Sequence, residues 1–369
     1  MTDTPFEIFV SIAPGLEDAL RCEIRDAGFP DPVVQAGGVS FQGGWPDVWR
    51  ANLVLRGAAR VLARIGSFRA MHLAQLDKRA RKFPWGDILP KGVPLKVEVT
   101  CRQSKIYHDK AARQRVETAL REEFDATFAE DAPIALKIRI EDDLCTISVD
   151  TSGESLHKRG HKEAVGKAPM RENLAALFLR ECGYTGDEPV VDPMCGSGTF
   201  VIEAAEIAAG LLPGRTRSFA FEQLNTFDAT AFAVMKQTVT RQPGQAFYGS
   251  DRDGGAVKMA RANAGRAGVG DWVTIAHHAV SDLPRPDGPA GLVIVNPPYG
   301  ARIGERKLLY AVYGALGKTL MERFAGWRVG LITSDAALAH ATGLPFKPAQ
   351  APVSHGGLRI QLFQTDPLA

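Results

Sequence analysis

The chain has 369 residues, of which 45% are hydrophobic and 23% charged, and its net charge is only +2. This length allows two or three domains, and the composition is typical of a soluble globular protein. The sequence has no apolar run of membrane-spanning length, no recognisable signal peptide in its first residues, and five cysteines without a Cys-x-x-Cys pair. We therefore expect a cytoplasmic protein with no membrane segment and no metal site.

The chain opens with the pattern of a small α+β unit. Residues 6–12 alternate like a strand, residues 16–27 form an amphipathic helix, residues 33–41 form a second strand and residues 47–64 a second helix. This order is roughly ferredoxin-like, and we assign it to a domain over residues 1–66.

A second α+β region follows over residues 67–155. Its predicted elements are a basic helix at 73–83, a strand at 95–101, a helix at 110–122 and a hairpin formed by strands 134–140 and 144–149.

Positive charge is concentrated in this front half. Residues 56–115 contain fifteen Lys and Arg against four Asp and Glu, a balance of +11, so the rest of the chain must sum to −9. Such asymmetry is typical of a surface that binds a polyanion. The candidate contacts in this region are Lys78, Arg79, Arg81, Lys82, Lys105 and Arg113.

The third region, residues 156–369, begins its sheet with a glycine loop. A short strand at 189–191 precedes the loop 192–199, and an alanine-rich helix follows at 200–209. Strand, Gly-x-Gly loop and helix form the opening unit of a nucleotide-binding α/β sheet. No Gly-Lys-Ser/Thr follows, and Val201 stands where a dinucleotide motif has its third glycine, so we expect a cofactor without a pyrophosphate. The candidate cofactor residues are Asp192, Met194, Cys195, Gly196, Ser197, Gly198 and Thr199.

The remaining elements fit a doubly wound α/β sheet. The next strand, 246–251, ends at Asp251, whose carboxylate is placed to accept ribose hydroxyls. The later predictions are helices at 256–267 and 308–324, strands at 272–275, 291–295 and 329–333, and a terminal antiparallel hairpin within 353–363.

The four residues Asn296, Pro297, Pro298 and Tyr299 follow the predicted strand 291–295, which the two prolines must end. This arrangement suits methylation of a planar amine. The Asn296 side-chain oxygen and the Pro297 carbonyl can each accept one N–H of the amine and hold its nitrogen in line with a methyl donor. Tyr299 can stack on a base.

Four stretches together resemble one family. They are residues 156–161 (LHKRGH), 168–176 (APMRENLAA), 192–205 (the glycine loop and its helix) and 296–300 (NPPYG). They resemble class I S-adenosylmethionine-dependent methyltransferases, and more narrowly the THUMP-domain RNA guanine-N2 methyltransferases of the bacterial large-subunit ribosomal RNA type.

The resemblance implies a THUMP RNA-binding domain over residues 67–155 and a methyltransferase domain over residues 156–369. It implies S-adenosylmethionine as cofactor and RNA as partner, either ribosomal RNA in a pre-ribosomal particle or transfer RNA. In the resembled family the start of the helix at residue 170 lines the cofactor site, so Ala168 and Met170 are candidates. The charge of the basic stretch 156–171 separately makes Lys158 and Arg159 candidate RNA contacts, as does Arg302 in the loop after Tyr299.

The chain departs from the family near Ala279, where an acid beside the cofactor adenine is expected. Four alternatives stay open: a transfer RNA guanine-N2 methyltransferase, a DNA adenine-N6 methyltransferase, a protein glutamine methyltransferase, and a non-catalytic RNA-binding or ribosome-assembly protein.

Overall fold

The computed structural model describes residues 4–163, 170–299 and 306–369. These residues divide into two compact units. The first contains the described parts of residues 1–12, 21–156 and 217–237, and the second those of residues 13–20, 157–216 and 238–369. No helix within the described ranges is both long enough and apolar enough to cross a membrane.

The elements of the first 150 residues alternate between strands and helices. They are β1 (Phe6–Ser11), α1 (Glu17–Asp26), β2 (Val33–Gln35), β3 (Gly38–Gly43), α2 (Trp45–Val54), β4 (Arg60–Arg69), α3 (Leu73–Arg81), β5 (Leu95–Arg102), α4 (Asp109–Phe124), β6 (Ile134–Glu141) and β7 (Leu144–Asp150).

These seven strands form one continuous sheet in the order β2-β3-β1-β4-β7-β6-β5. Strand β4 pairs with β1 on one side and with β7 on the other. The predicted domain boundary at residue 66 falls inside this strand, so the two predicted front domains share a sheet.

The prediction of a helix over residues 47–64 is wrong in its second half. Helix α2 ends at Val54, and residues 60–64 belong to β4. Within β4, Val61 and Ala63 are buried while their neighbours are partly exposed, which is the period of a half-buried strand. The predicted hairpin is confirmed, and its turn residues Asp142 and Asp143 have φ values of 50° and 63°, as a two-residue hairpin loop requires.

Residues 217–237 come late in the chain yet belong to the first unit. The rings of Phe221 and Phe227 lie 6.4 and 5.7 Å from that of Trp49 in α2. The backbone N–H of Phe221 also donates to the carbonyl oxygen of Thr151 at 3.1 Å. This segment therefore completes the aromatic core of the first unit.

The later elements alternate in the same way. They are α5 (Glu172–Glu181), β8 (Val190–Asp192), α6 (Thr199–Ala209), α7 (Ala229–Met235), β9 (Phe247–Asp251), α8 (Gly254–Ala267), β10 (Val273–His277), β11 (Leu292–Val295), α9 (Arg306–Arg323), β12 (Arg328–Thr333), α10 (Ala336–His340), β13 (Val353–His355) and β14 (Leu358–Gln364).

The second sheet has the order β10-β9-β8-β11-β12-β14-β13. Strands β10, β9, β8, β11 and β12 are mutually parallel, whereas β14 is antiparallel to β12 and forms the terminal hairpin with β13. This confirms the predicted doubly wound α/β sheet with a terminal antiparallel hairpin. The chain order reverses between β8 and β11, and ligands of open α/β sheets bind at the carboxyl ends of strands at such a point.

The core beside this switch point is dense. Tyr313 of α9, Trp327 and strand residues such as Val293 and Leu331 are completely or almost completely buried in one apolar cluster. Strand β11, which leads to Asn296, is therefore anchored along its length.

Candidate functional site

Asp192 ends β8 at the switch point and is almost completely buried. Its Oδ1 accepts a hydrogen bond from the backbone N–H of Met194 at 3.1 Å. Burial raises the pKa of this carboxyl to about 8; the Met194 bond opposes the shift and the charge of Asp251 adds to it. A buried carboxyl with one backbone donor is suited to receive a cationic or N–H-donating ligand group.

Asp251 ends the neighbouring strand β9 and holds the glycine loop. Its Oδ2 accepts the N–H of Gly196 at 3.0 Å, and its Oδ1 accepts the N–H of Asp253 at 2.9 Å. A carboxylate has about four acceptor positions, so Asp251 can still accept hydroxyl groups of a ligand.

Two glycines give the loop its shape. Gly196 and Gly198 have φ values of +52° and +84°, which favour glycine. A Cβ on Gly198 would lie 3.2 Å from the Cβ of Ala260 in α8, whereas a Cβ on Gly196 would meet no atom within 4 Å. The loop thus packs closely on α8 at one glycine and presents open backbone at the other.

Asn263 of α8 supports the same loop and was not predicted. Its side-chain Nδ2 donates to the carbonyl oxygen of Ser197 at 3.0 Å, and the residue is fully buried. The available sequence signal was a polar residue on the core side of an otherwise small-residue helix.

Cys195 is a packing residue. It is buried, and burial raises the pKa of its thiol, so the reactive thiolate is disfavoured. The Sγ atom would lie 3.2 Å from a Cβ on Gly249 of β9. The close packing of Cys195 therefore requires a residue without a Cβ at position 249. Met194, beside Cys195, packs against the apolar core.

Asn296 emerges from β11 at the same edge as Asp192. Its side-chain Oδ1 is buried and, within the described ranges, has no hydrogen-bond partner. An unsatisfied buried acceptor costs roughly 1–3 kcal/mol and is unusual in a native structure. This oxygen is therefore available to a ligand N–H group.

Pro297 is buried, while Pro298 and Tyr299 are half-buried. The Tyr299 ring packs against the apolar cluster that contains Tyr313. Burial raises the pKa of the Tyr299 phenol, so the ring stays neutral at physiological pH. A ring held from one side in this way can serve as a stacking surface.

The basic segment before α5 differs from expectation. Arg159 was predicted to contact RNA, but its side chain is 2% exposed and its Nε lies 3.0 Å from Oε1 of Glu203 in α6. The structure contradicts the RNA-binding prediction for Arg159, because the guanidinium is buried in an ion pair. Lys158 is exposed, as its prediction requires.

Lys162 has a role that the sequence did not indicate. Its Nζ donates to the carbonyl oxygen of Met170 and to Oγ1 of Thr199, both at 2.9 Å, and lies 3.3 Å from a carboxylate oxygen of Glu172. This mostly buried lysine places the start of α5, including Met170, beside the start of α6 and the glycine loop. The predicted site residues Ala168 and Arg302 lie outside the described residues.

The predicted cations of the first unit fall into two groups. Lys78, Arg79, Lys82 and Lys105 are exposed. The other two are held in ion pairs. Arg81 contacts Asp77, Glu122 and Glu123 at 2.8, 2.6 and 3.0 Å, and Arg113 contacts Glu117 and Glu130 at 2.6 and 3.3 Å. The four exposed cations remain the better candidates for contacts with a polyanion, because carboxylates already compensate the charges of Arg81 and Arg113.

In the described part of the chain, no cluster of three or more His, Cys, Asp or Glu residues is arranged to hold a metal ion. The site instead combines two kinds of feature. Asp192, Asp251 and the open backbone of Gly196 form a cradle, and Asn296 supplies a buried acceptor at the adjacent strand end.

Two protein-family models match this chain, one near its start and one over its second half. The RMKL-like methyltransferase domain matches residues 159–360, and the RlmL ferredoxin-like domain matches residues 7–62. A ribosomal RNA large subunit methyltransferase K/L from Syntrophotalea carbinolica is 35% identical over 363 residues, which cover 93% of this chain and 51% of that protein. The chain thus spans about half the length of this curated relative.

Solved structures share the whole fold. The protein SMU.472, crystallised with SAH, is 29% identical and superposes with a TM-score of 0.87 over 99% of each chain. A protein from Listeria monocytogenes named a predicted N6-adenine-specific DNA methylase is also 29% identical, with a TM-score of 0.86 over 98% of this chain and 96% of that one.

Proposed function

Because the chain belongs to the family of RMKL-like methyltransferase domains, we propose that it transfers a methyl group from S-adenosylmethionine to the exocyclic 2-amino group of guanine in RNA. The proposed substrate is large-subunit ribosomal RNA, which is the substrate class in the name of the relative from Syntrophotalea carbinolica. Since the chain spans only half of that relative, this substrate is our inference for the present chain.

The residues at the switch point fit the proposed cofactor. Asp192 would receive its cationic methionine end, the open backbone at Gly196 would allow close approach, and Asp251 would accept its ribose hydroxyls. When bound, S-adenosylmethionine supplies a methyl group activated by a sulfonium. SMU.472, which has the same fold, was crystallised with SAH.

The observation that carries the proposal is the buried Oδ1 of Asn296, for which the described residues offer no hydrogen-bond partner. An exocyclic amine is a weak nucleophile because its lone pair is delocalised into the base. Oδ1 of Asn296 would accept one N–H and the Pro297 carbonyl the other, which fixes the nitrogen for attack. Tyr299 would stack on the extruded guanine. The amine becomes acidic as it is methylated, so bulk water can take the proton.

The exposed cations of the first unit support RNA as the partner. Lys78, Arg79 and Lys82 lie on α3, and Lys105 follows β5. Together they would neutralise phosphates without reading sequence. We propose that residues 67–155 act as a THUMP-type RNA-binding region and that the protein works in the cytoplasm, where ribosomal RNA is modified.

The test is methyl transfer from labelled S-adenosylmethionine to unmodified ribosomal RNA, transfer RNA and duplex DNA, followed by nucleoside chromatography. We expect N2-methylguanosine in large-subunit RNA and none with Asn296→Ala. Label confined to transfer RNA would keep the chemistry and change the substrate. Methyladenine in DNA would overturn the RNA assignment and favour the activity named for the Listeria monocytogenes protein.

A further inference from the structure

The terminal hairpin contains a buried histidine with an unsatisfied nitrogen. His355 is the last residue of β13 and is only 8% exposed. Its Nδ1 is buried and has no hydrogen-bond partner in the part of the chain that the structure describes. Like the Oδ1 of Asn296, this atom costs free energy unless a ligand satisfies it.

Strand directions place His355 at the catalytic edge of the sheet. Strand β14 is antiparallel to β12, and β13 is antiparallel to β14, so β13 ends on the side where β8, β11 and β12 end. Thr333, the last residue of β12, pairs with Gln361, while β14 begins at Leu358. The hairpin therefore extends three residues, or roughly 10 Å, beyond the end of β12.

The start of α5 lies at the same edge, because Lys162 ties Met170 to Thr199 beside the glycine loop. Arg171 is the N-cap residue of this ten-residue helix and makes no side-chain capping bond. Its side chain is exposed, and no ion pair holds it among the described residues. The carboxylate of Glu172 is compensated by Lys162, so among the described residues it does not cancel the positive charge at the start of the helix, which favours an anion.

Arg171 and Lys162 both act electrostatically on His355. The pKa of its imidazole is lowered mainly by burial, and the positive charges of Arg171 and Lys162 lower it further. The ring is therefore neutral at physiological pH and can donate an N–H from Nδ1. In the described structure, the charges that act on His355 are both positive. An unused N–H donor close to two positive side chains favours an anion.

We propose that His355 and Arg171 form an anion site that holds a backbone phosphate of RNA beside the target guanine. The identity of the polyanion rests on the proposed function. A phosphate is favoured over the carboxylate of the cofactor because the Arg171 side chain reaches solvent and the hairpin projects past the strand ends. The glycine loop, where the cofactor would bind, begins at the deeply buried Asp192.

The test measures binding of unmodified large-subunit ribosomal RNA and of SAH separately, without methyl transfer. Arg171→Gln should weaken RNA binding about tenfold and reduce the slope of log Kd against log salt by about 0.7 to 1. The dissociation constant for SAH should not change. Lys258→Gln, which removes an exposed charge from α8, is the matched control and should leave the salt slope closer to that of the unaltered protein.

His355 is tested by a pair of variants, since a buried change can disturb the hairpin. His355→Phe keeps the ring but removes the donor and should weaken RNA binding, whereas His355→Gln should restore much of it. Equal salt slopes for Arg171→Gln and Lys258→Gln would overturn the proposal. A weaker SAH complex with unchanged RNA binding would also overturn it and would assign the anion to the cofactor.

The same data separate this proposal from the proposed function. Arg171-dependent RNA binding without methyl transfer would refute the enzymatic assignment and uphold the phosphate site. Methyl transfer to ribosomal RNA, together with unchanged RNA binding by Arg171→Gln and His355→Phe, would uphold the enzymatic assignment and refute the phosphate site.

Discussion

Arg159 and Glu203 form an ion pair inside the second unit, with Nε 3.0 Å from Oε1 and with 2% and 0% of their side chains exposed. The pair joins the segment before α5 to the helix that follows the glycine loop. Each charge depends on the other, because an isolated charge in a protein interior is strongly unfavourable.

We expect Glu203→Gln to lower the free energy of unfolding by about 3 kcal/mol, since it removes the carboxylate charge that contacts the buried Arg159 guanidinium. The double variant Arg159→Met, Glu203→Met should recover much of this loss. Urea denaturation measures both. The exposed pair Arg139 and Glu141, with side chains 48% and 39% exposed, is the control: Glu141→Gln should cost less than about 1 kcal/mol. Equal losses at the two sites would contradict the argument from burial.

Asn296→Ala should separate stability from activity. The side-chain Oδ1 has no partner among the described residues, so its removal breaks no hydrogen bond and should leave the free energy of unfolding nearly unchanged or slightly raised. Methyl transfer should fall at least about 100-fold because the amine is no longer positioned. Thermal unfolding and single-turnover transfer would be measured on the same preparation. A large loss of stability would mean that Asn296 is structural.

Asp192 should make stability depend on pH. Its folded pKa of about 8 lies above the ordinary value of 3.8, so the folded protein holds this proton while the unfolded chain has released it. Stability is therefore lost as pH rises from about 4 to 8, by at most about 1.4 kcal/mol per pH unit. Asp192→Asn removes this dependence.

The stability of Asp192→Asn relative to the unaltered protein should accordingly increase between pH 5 and pH 8 and level off above that. Denaturant titrations at four pH values would show it. A difference that stays constant with pH would mean that the carboxyl ionises normally in the fold.

The two loop glycines should respond differently to alanine. Both need a positive φ, which costs alanine about 1–2 kcal/mol. Gly198→Ala also brings a methyl group against Ala260 and should cost a further 1 kcal/mol or so. Gly196→Ala meets no protein atom within 4 Å, so its main effect should be weaker SAH binding. Calorimetry with SAH and thermal unfolding of both variants would test this; equal SAH affinities would argue against a ligand at Gly196.

The second sheet could be predicted because its signals are local. The glycine loop, the strand before Asn296 and the terminal hairpin each have a short pattern, and the structure places them as one parallel sheet with a hairpin. Strand β4 could not be predicted this way. Residues 60–64 read as a continuation of α2, and only pairing with β1 and β7, which lie far away in sequence, makes them a strand.

The same limit explains the error at Arg159. A run of Lys and Arg is usually solvated, and only the buried Glu203, 44 residues away, shows that one member of this run is internal. The buried Oδ1 of Asn296 and Nδ1 of His355, which have no hydrogen-bond partner in the described ranges, likewise become visible only when the surrounding side chains are placed in space.

Because residues 217–237 belong to the first unit although they follow part of the second in sequence, the protein cannot be divided by a single cut. Residues 217–237 leave the second unit, complete the aromatic core around Trp49, and lead back to β9. A cut after residue 156 would therefore not yield two independent fragments. The front fragment would lack Phe221. The rear fragment would carry Phe221 and Phe227 in an unfolded insertion whose exposed aromatic rings promote aggregation. Dissection of this protein should rely on point substitutions, or on a front fragment supplied with the 217–237 peptide, rather than on truncation.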